Sequence, residues 1–330
     1  MIAISIIVTS YNQADTLPQT LDSILAQHIG WLAEPHAKVK FEIIIGNDCS
    51  TDNTREVCEK YRKNHPDIIR PLHHATNGGV AINFVLSVKE ARGKYIALCA
   101  ADDYWHNPQK LQMQVDYMEA NPDCGFLYTD YDKLHVGTGK ITASHLANSQ
   151  TTIYEGKNLI KTVFGGSFPA LTLTVLFRKE LFDKYIPIDD YIKLRFTLED
   201  WPTWVIFSKH TRIGYLPVST GTYRYGHESI SNPRSYEKTI DRFVREKRMY
   251  KYLCDMFPND LDYDERGYDL YVNGVLLSLA YKRNDAKKAN EFAAKMLELG
   301  DKSWRTRFSA NWLGFWMFGL LKRVARRASR

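Results

Sequence analysis

Cysteine is scarce in this chain. The five thiols, Cys49, Cys58, Cys99, Cys124 and Cys254, form no CxxC pair, and their odd number fits neither a closed disulfide framework nor a zinc knuckle. They read as free thiols in a reducing, cytoplasmic compartment. No uncharged run of 18 residues occurs, so no segment reads as a membrane span. The apolar start, MIAISIIVTSYN, lacks the basic opening and small-residue cleavage site of a signal peptide and reads as a strand. No G-x-G-x-x-G follows that strand, where the chain reads SYNQAD, which argues against a dinucleotide-dependent oxidoreductase. Internal repeats and low-complexity linkers are also missing. Positive charge is not spread over the chain: of a net +6, residues 301–330 carry +7, which leaves −1 for the rest. That body offers no basic surface of nucleic-acid size, and no nucleic-acid partner is expected.

What is present is alternation. Ile2–Thr9 is a β-branched run, as expected of a strand buried on both faces. Leu17, Leu21, Ile24 and Leu25 then share one helical face. Strands over Phe41–Ile45, Ile68–Leu72 and Tyr95–Cys99 alternate with helices ending near Asn64 and Ala91. Four such alternations in about 100 residues predict a mostly parallel α/β sheet, whose ligands gather at the strands' C-terminal ends. A helix to Ala120, a strand over Gly125–Tyr131, looser chain over 137–170, a strand over Thr172–Phe177 and a helix over Trp201–Ser208 follow. From Ser235 the periodicity is helical only, over 236–256, 266–283 and 285–299.

Chemistry concentrates at the strand ends. AADDYW, Ala100–Trp105, follows the fourth strand, and its adjacent carboxylates, Asp102 and Asp103, repel unless solvated, capped or bridged by a cation. A hard divalent ion suits them, and a plain loop with a helix cap before Pro108 suits them as well. Thr9, Tyr11 and Asn12 in VTSYN end the first strand, Asp48 in GNDCSTDNT ends the second, and Asn77 and Gly78 in TNGG precede the third helix. In a parallel sheet these ends line one edge. Trp105, Tyr128 and Trp201 read equally as sugar-stacking rings or as core, and the adjacent His73 and His74 as loop surface.

The segments SIIVTSYNQADTLPQTLDSILAQ, EIIIGNDCSTDNT, NGGVAINF, ARGKYIALCAADDYWHNPQKLQMQVDYM and LEDW resemble, in order, the pattern of glycosyltransferase family 2. The resemblance is strong over residues 1–130, fair over 170–232 and absent after about 235. It implies the GT-A fold, a Rossmann-like, mostly parallel central sheet with flanking helices, here with a helical C-terminal region added. It also implies an inverting transfer of sugar from a nucleoside-diphosphate donor, UDP before other bases, with Mn²⁺ or Mg²⁺ as cofactor. The acceptor would be a hydroxyl of a glycan or lipid-linked molecule in surface polysaccharide synthesis.

The same resemblance implies roles. Thr9, Tyr11 and Asn12 would line the base pocket, Asp48 would accept from the base or ribose, and Asn77 and Gly78 would border the nucleoside. Asp102 would ligate the metal and Asp103 would contact the donor sugar. Asp200 would be the catalytic base, positioned by Glu199, which together with burial by Trp201 raises its pKa. His227 would approach the metal, and Arg224 the phosphates.

Two departures stand out: Asn47-Asp48-Cys49-Ser50 replaces D-D-G-S, and Ala100 occupies the first acidic position of D-x-D. The second keeps alive an alternative, a catalytically impaired scaffold of the same fold in a membrane-associated complex. The expected organisation is a GT-A domain over 1–234, with a nucleotide half 1–105 and an acceptor half 106–234, then a helical extension over 235–302 and a basic aromatic tail over 303–330. The tail sets Trp312–Leu321 between basic flanks and reads as an interfacial helix on an anionic membrane, the inner face of the plasma membrane.

Overall fold

The structure, a computed structural model, describes residues 2–30, 40–226 and 235–310. The sheet region runs β1 (Ile2–Ser10), α1 (Leu17–Leu25), β2 (Lys40–Asn47), α2 (Thr54–Asn64), β3 (Ile69–His73), α3 (Val80–Lys89), β4 (Tyr95–Leu98), β5 (Tyr104–Trp105) and α4 (Lys110–Ala120). It continues with β6 (Cys124–His135), β7 (Lys140–Thr142), α5 (Ile160–Phe164), β8 (Leu176–Arg178), α6 (Lys179–Tyr185), α7 (Ile188–Leu194), α8 (Asp200–His210) and β9 (Arg212–Tyr225). The helical region holds α9 (Tyr236–Met256), α10 (Glu265–Arg283), α11 (Ala286–Glu298) and α12 (Trp304–Ser309). The two regions are separate compact units, residues 259–261 belonging with the first.

The sheet order is β3-β2-β1-β4-β8-β6-β9-β5, with β7 beside β6. β1 pairs in parallel with β2 and β4, and β2 with β3. Ile4, Ile6, Ile7 and Val8 are each at most 1% exposed, as a strand covered on both faces requires. Each such side chain contributes roughly 1.5–3 kcal/mol by leaving water. The chain moves from β1 out to β3 and returns on the other side with β4. The crevice beside β1 is therefore the switch point, where open α/β sheets hold ligands.

Beyond β4 the sheet is mixed. β8 runs antiparallel to β4 and β6, and β5 antiparallel to β9, while β9 lies parallel to β6. The strand expected over Thr172–Phe177 is confined to Leu176–Arg178, because Thr172–Thr174 turn as a 3-10 segment in which Thr174 donates to the Leu171 carbonyl at 2.7 Å. Threonine hydroxyls offer the backbone this alternative to a ladder. The 14-residue β9 is invisible to periodicity, since Gly214, Pro217 and Gly221 break its pattern. Register with β6 slips between Leu216 and Ser219, so Pro217 falls in a bulge, where it costs no ladder bond.

The rings singled out as stacking candidates are packing residues. Trp105 is 3% exposed and donates to the Leu173 carbonyl at 3.0 Å, and Tyr128 is fully buried and donates to the Tyr154 carbonyl at 3.1 Å. Trp201 donates to the Val163 carbonyl at 3.0 Å and lies 5.7 Å from the Phe164 ring. Lys110 is fully buried, with its ammonium 4.5 Å over the Trp105 ring and bonded to Gln114 at 2.5 Å. Burial pulls its pKa down to about 7.

In the helical unit, Tyr236, Leu276, Leu277, Ala280, Ala289, Phe292 and Ala293 form one core. Each of its four described helices carries a side-chain cap: Ser235, Asp264, Asp285 and Ser303 accept from backbone amides at the helix starts. Periodicity placed α9, α10 and α11 to within a residue or two. Of the tail, 311–330 lies outside the described residues. Among the described residues no helix is long and apolar enough to cross a membrane.

Candidate active site

Two groups of side chains meet at the C-terminal edge of the parallel strands. The first surrounds Asp48, just past β2. It is 3% exposed, and its two carboxylate oxygens accept the Gly78 and Gly79 amides, each at 2.8 Å. Asn77 donates to the Asp48 carbonyl at 3.2 Å, and the Asp48 amide donates to the Ser10 carbonyl at 3.0 Å. Asp48 thus clamps the loop before α3 to the tips of β1 and β2. Gly79 has φ +87°, a conformation that L side chains resist, so the clamp needs glycine there. Asn12 accepts from the Thr51 amide at 2.8 Å and its own amide donates to Ser50 at 3.0 Å, tying the first two tips together. Tyr11 is 47% exposed on the same loop.

Asn12 and Cys49 both have positive φ, at 54° and 58°. At Cys49 this explains why glycine suits that position in D-D-G-S: a side chain there costs roughly 1 kcal/mol. Asn47, the other departure, accepts from the Ser50 amide at 3.2 Å and shares a hydrogen bond with His73 at 3.1 Å. His73 also reaches Glu59 at 3.0 Å, and His74 reaches Asn83 at 3.0 Å. Both histidines are half-buried parts of the scaffold rather than loop surface.

The second group is built on the loop after β4. The Ala101 amide donates to the Thr9 carbonyl at 3.0 Å, and Thr20 of α1 donates to the carbonyls of Ala101 and Asp103 at 3.0 and 2.6 Å. β5 then pairs with β9, which brings Tyr223 and Arg224 beside the acidic pair. The Arg224 amide donates to the Asp103 carboxylate at 2.9 Å. Its guanidinium reaches the Asp102 carbonyl and Gln19, and lies 4.8 Å over the Tyr104 ring. Burial pushes the Asp103 carboxyl well above its ordinary range, and the charge of Asp102 adds to the effect.

Glu199 and Asp200, at the start of α8, join this group. Asp200 accepts from the Trp201 amide at 2.6 Å and from Thr172 at 3.3 Å. Burial raises the pKa of Asp200, and these two hydrogen bonds hold part of that rise back. The repulsion within the pair falls on Glu199: burial, then the charge of Asp200 and further off that of Asp102, push it up to about 8. Glu199 is therefore the member of the pair that holds its proton into the neutral range. Tyr223 feels Asp103, Asp102 and Asp200 together, which places all three around one phenol. Tyr223, Thr172, Thr20 and Gln19 had no role assigned from sequence: the place of Gln19 and Thr20 inside the first family-like segment was the one usable signal, and no motif marks Tyr223 or Thr172.

His227 lies outside the described residues. Among the described residues no group of three His, Cys, Asp or Glu side chains is placed to hold a metal ion. Carboxylate oxygens of the adjacent Asp102 and Asp103 nevertheless suit a hard divalent cation, provided phosphate oxygens complete the shell. Asp102 and Asp200 are half-buried, whereas Asp103 and Glu199 are buried.

The sequence model of "Glycosyl transferase family 2" matches residues 5–186, more than half of the chain. The chain belongs to glycosyl transferase family 2. The match covers β1 to α6 and so includes every strand tip described above, but ends before Glu199 and Asp200. The chain is 34% identical over 128 residues to the putative teichuronic acid biosynthesis glycosyltransferase TuaG of Bacillus subtilis, a stretch covering 39% of this chain and 46% of TuaG. It is 39% identical over 119 residues to an uncharacterized protein of Mycobacterium tuberculosis strain H37Rv, covering 36% of this chain and 32% of that protein. The chain therefore spans only about a third to a half of the length of these relatives. Among solved structures, S. aureus TarS 1-349 in complex with UDP-GlcNAc superposes with a TM-score of 0.53 at 15% identity, covering 99% of this chain and 92% of that one. The mannosyltransferase PcManGT of Pyrobaculum calidifontis, in complex with GDP-Man and Mn²⁺, gives the same TM-score at 15% identity, covering 97% and 86%. The fold of this family member is the GT-A fold.

The clamp and the proton on Glu199 each yield a prediction. Asp48→Ala strands two amides and is expected to weaken UDP binding and to lower stability by about 1–3 kcal/mol, read by calorimetry and by urea unfolding. Unchanged values for both would mean that the loop holds itself. Because folding raises the Glu199 pKa from 4.5 to about 8, its stabilising contribution is complete below pH 4.5 and is lost as pH rises to 8. Glu199→Gln removes that loss. The fall in unfolding free energy between pH 5 and pH 8.5 is expected to be smaller in the variant, by about 4 kcal/mol, read by urea unfolding at the two pH values. Parallel pH profiles for the two proteins would contradict the assignment.

Proposed function

We propose that this protein transfers a sugar from a nucleoside-diphosphate donor, UDP-linked, to a hydroxyl of a glycan or lipid-linked acceptor, with inversion at the anomeric carbon. The observation that carries the reading is the meeting of Asp102, Asp103 and Asp200 around Tyr223, with Glu199 next to Asp200, at the C-terminal edge of the sheet that also bears the Asp48 clamp. Thr9, Tyr11, Asn12, Asp48, Asn77 and Gly78 provide the surface for the nucleoside, and Arg224 and Asp103 border the sugar-phosphate. Asp102 holds Mn²⁺ or Mg²⁺ together with the donor's phosphates. The bound ion supplies neutralisation of the charge that grows on the departing diphosphate.

Asp200 takes the acceptor proton as the hydroxyl oxygen attacks from the face opposite the leaving group. Glu199, protonated, stays neutral beside it and spares the site a further charge. The name of TuaG, a putative teichuronic acid biosynthesis glycosyltransferase, supports a surface polysaccharide as the setting. The deciding experiment is a panel of nucleotide sugars incubated with the protein and Mn²⁺, scored by release of nucleoside diphosphate. Turnover of one UDP-sugar above the others is expected. Release from none of them would refute the reading and return the scaffold alternative.

A further inference from the structure

The helical unit contains a cavity of about 400 Å³ outside the region matched by the family. α9 supplies Arg242 and Phe243 to its wall, α10 supplies Tyr271, Leu279 and Lys282, and α12 supplies Arg305. Three cations thus meet an apolar wall, and no carboxylate lines the space. Two of them are already oriented: Arg242 donates to Glu246 at 2.6 Å, and Arg305 donates to Ser278 at 2.8 Å. Lys282 is exposed and has no ion-pair or hydrogen-bond partner among the described residues. Glu246 and Asp301 offset part of the charge from behind, and Asp301 is occupied by Ser303 and Thr306.

The same helices expose apolar side chains. Tyr271 is 57% exposed at the cavity itself, and Ile240 and Val244, one turn apart on α9, are 41% and 47% exposed. α12 exposes Trp304 and Phe308 in ring contact with each other. Cations lining a cavity, and exposed aromatic and branched side chains on the helices that wall it, match an amphiphile with a phosphate head and a hydrocarbon tail.

We infer that this cavity binds the phosphate headgroup of an anionic lipid, so that the helical unit itself docks on a lipid surface. The occupant follows from charge complementarity together with the exposed apolar side chains of the same helices. A free sugar phosphate would use the cations but leave those side chains in water. The site is independent of the donor reading, because none of its residues belongs to the sheet unit.

The test is co-sedimentation of the full chain with phosphatidylcholine vesicles, with and without phosphatidylglycerol. Binding is expected only with phosphatidylglycerol. Lys282→Gln should weaken it about fivefold, which is the worth of one basic residue near an anionic surface. Tyr271→Ser should weaken it without changing the salt dependence. Both positions are exposed, so both variants keep the fold, and UDP binding measured in parallel stays at the wild-type value. Equal binding to neutral vesicles, or unchanged binding by both variants, overturns the assignment and leaves the basic residues near the C-terminus as the cause of any membrane affinity. Calorimetric binding of glycerol phosphate as tight as binding to vesicles would make the occupant a soluble phosphate and also overturn it.

Discussion

Asp200→Asn is expected to lower sugar transfer by roughly 10²- to 10⁴-fold, the usual contribution of a positioned general base. The amide keeps the shape and can still accept from the Trp201 amide and from Thr172, so the start of α8 stays in place. What disappears is the carboxylate proposed as the base, and Glu199, which holds its proton up to about 8, is poorly suited to replace it. UDP affinity should change little, because the nucleoside surface lies on the other side of the switch point. Measured together, kcat falls and the calorimetric affinity for UDP holds. If the variant turned over at the wild-type rate, Asp200 would not be the base. If both quantities fell, the residue would be structural. Wild-type activity should also decline on the acid side at a higher pH than an ordinary aspartate would give, because burial raises the pKa of Asp200.

Asp102→Asn is expected to act on the opposite side of the reacting bond. It removes a half-buried carboxylate of the acidic group and with it the proposed grip on the divalent ion. A loss of roughly 10²- to 10³-fold in kcat/KM is expected, the size typical of removing one preorganised electrostatic stabiliser. The decisive readout is binding rather than rate: Mn²⁺ should strengthen UDP binding by the wild type and leave binding by the variant unaltered. Metal-enhanced binding that survives in Asp102→Asn would move the ion to another residue. Because Ala100 stands where a further acid could have assisted, Asp102 carries this role with little support from neighbouring ligands.

These two experiments probe residues that the chain's own order of letters had already marked. The alternation of β-branched runs with amphipathic stretches is local, and a strand covered on both faces has only one way to look in sequence. β1 to β4 were therefore legible, and so was the edge on which Thr9, Asp48 and Asp102 would stand. The capped helices α9 to α11 were legible for the same local reason. Asp48 illustrates the limit. Its type and place were evident, but its engagement with the amides of Gly78 and Gly79 depends on a loop 30 residues away.

What the tertiary structure alone decided lies mostly beyond β4. The chain there turns back on itself: β8 runs antiparallel, and β9 crosses the sheet with glycines and a proline-bearing bulge that erase its period. Only that crossing carries Tyr223 and Arg224 to the acidic loop, and only the docking of α8 sets Asp102 close enough to help hold a proton on Glu199. Periodicity reports which face of a segment leaves water, and it is fixed by near neighbours in the chain. The ionisation of a buried carboxyl is fixed by charges and solvent exclusion contributed from residues a hundred positions apart, and those exist only once the chain has closed.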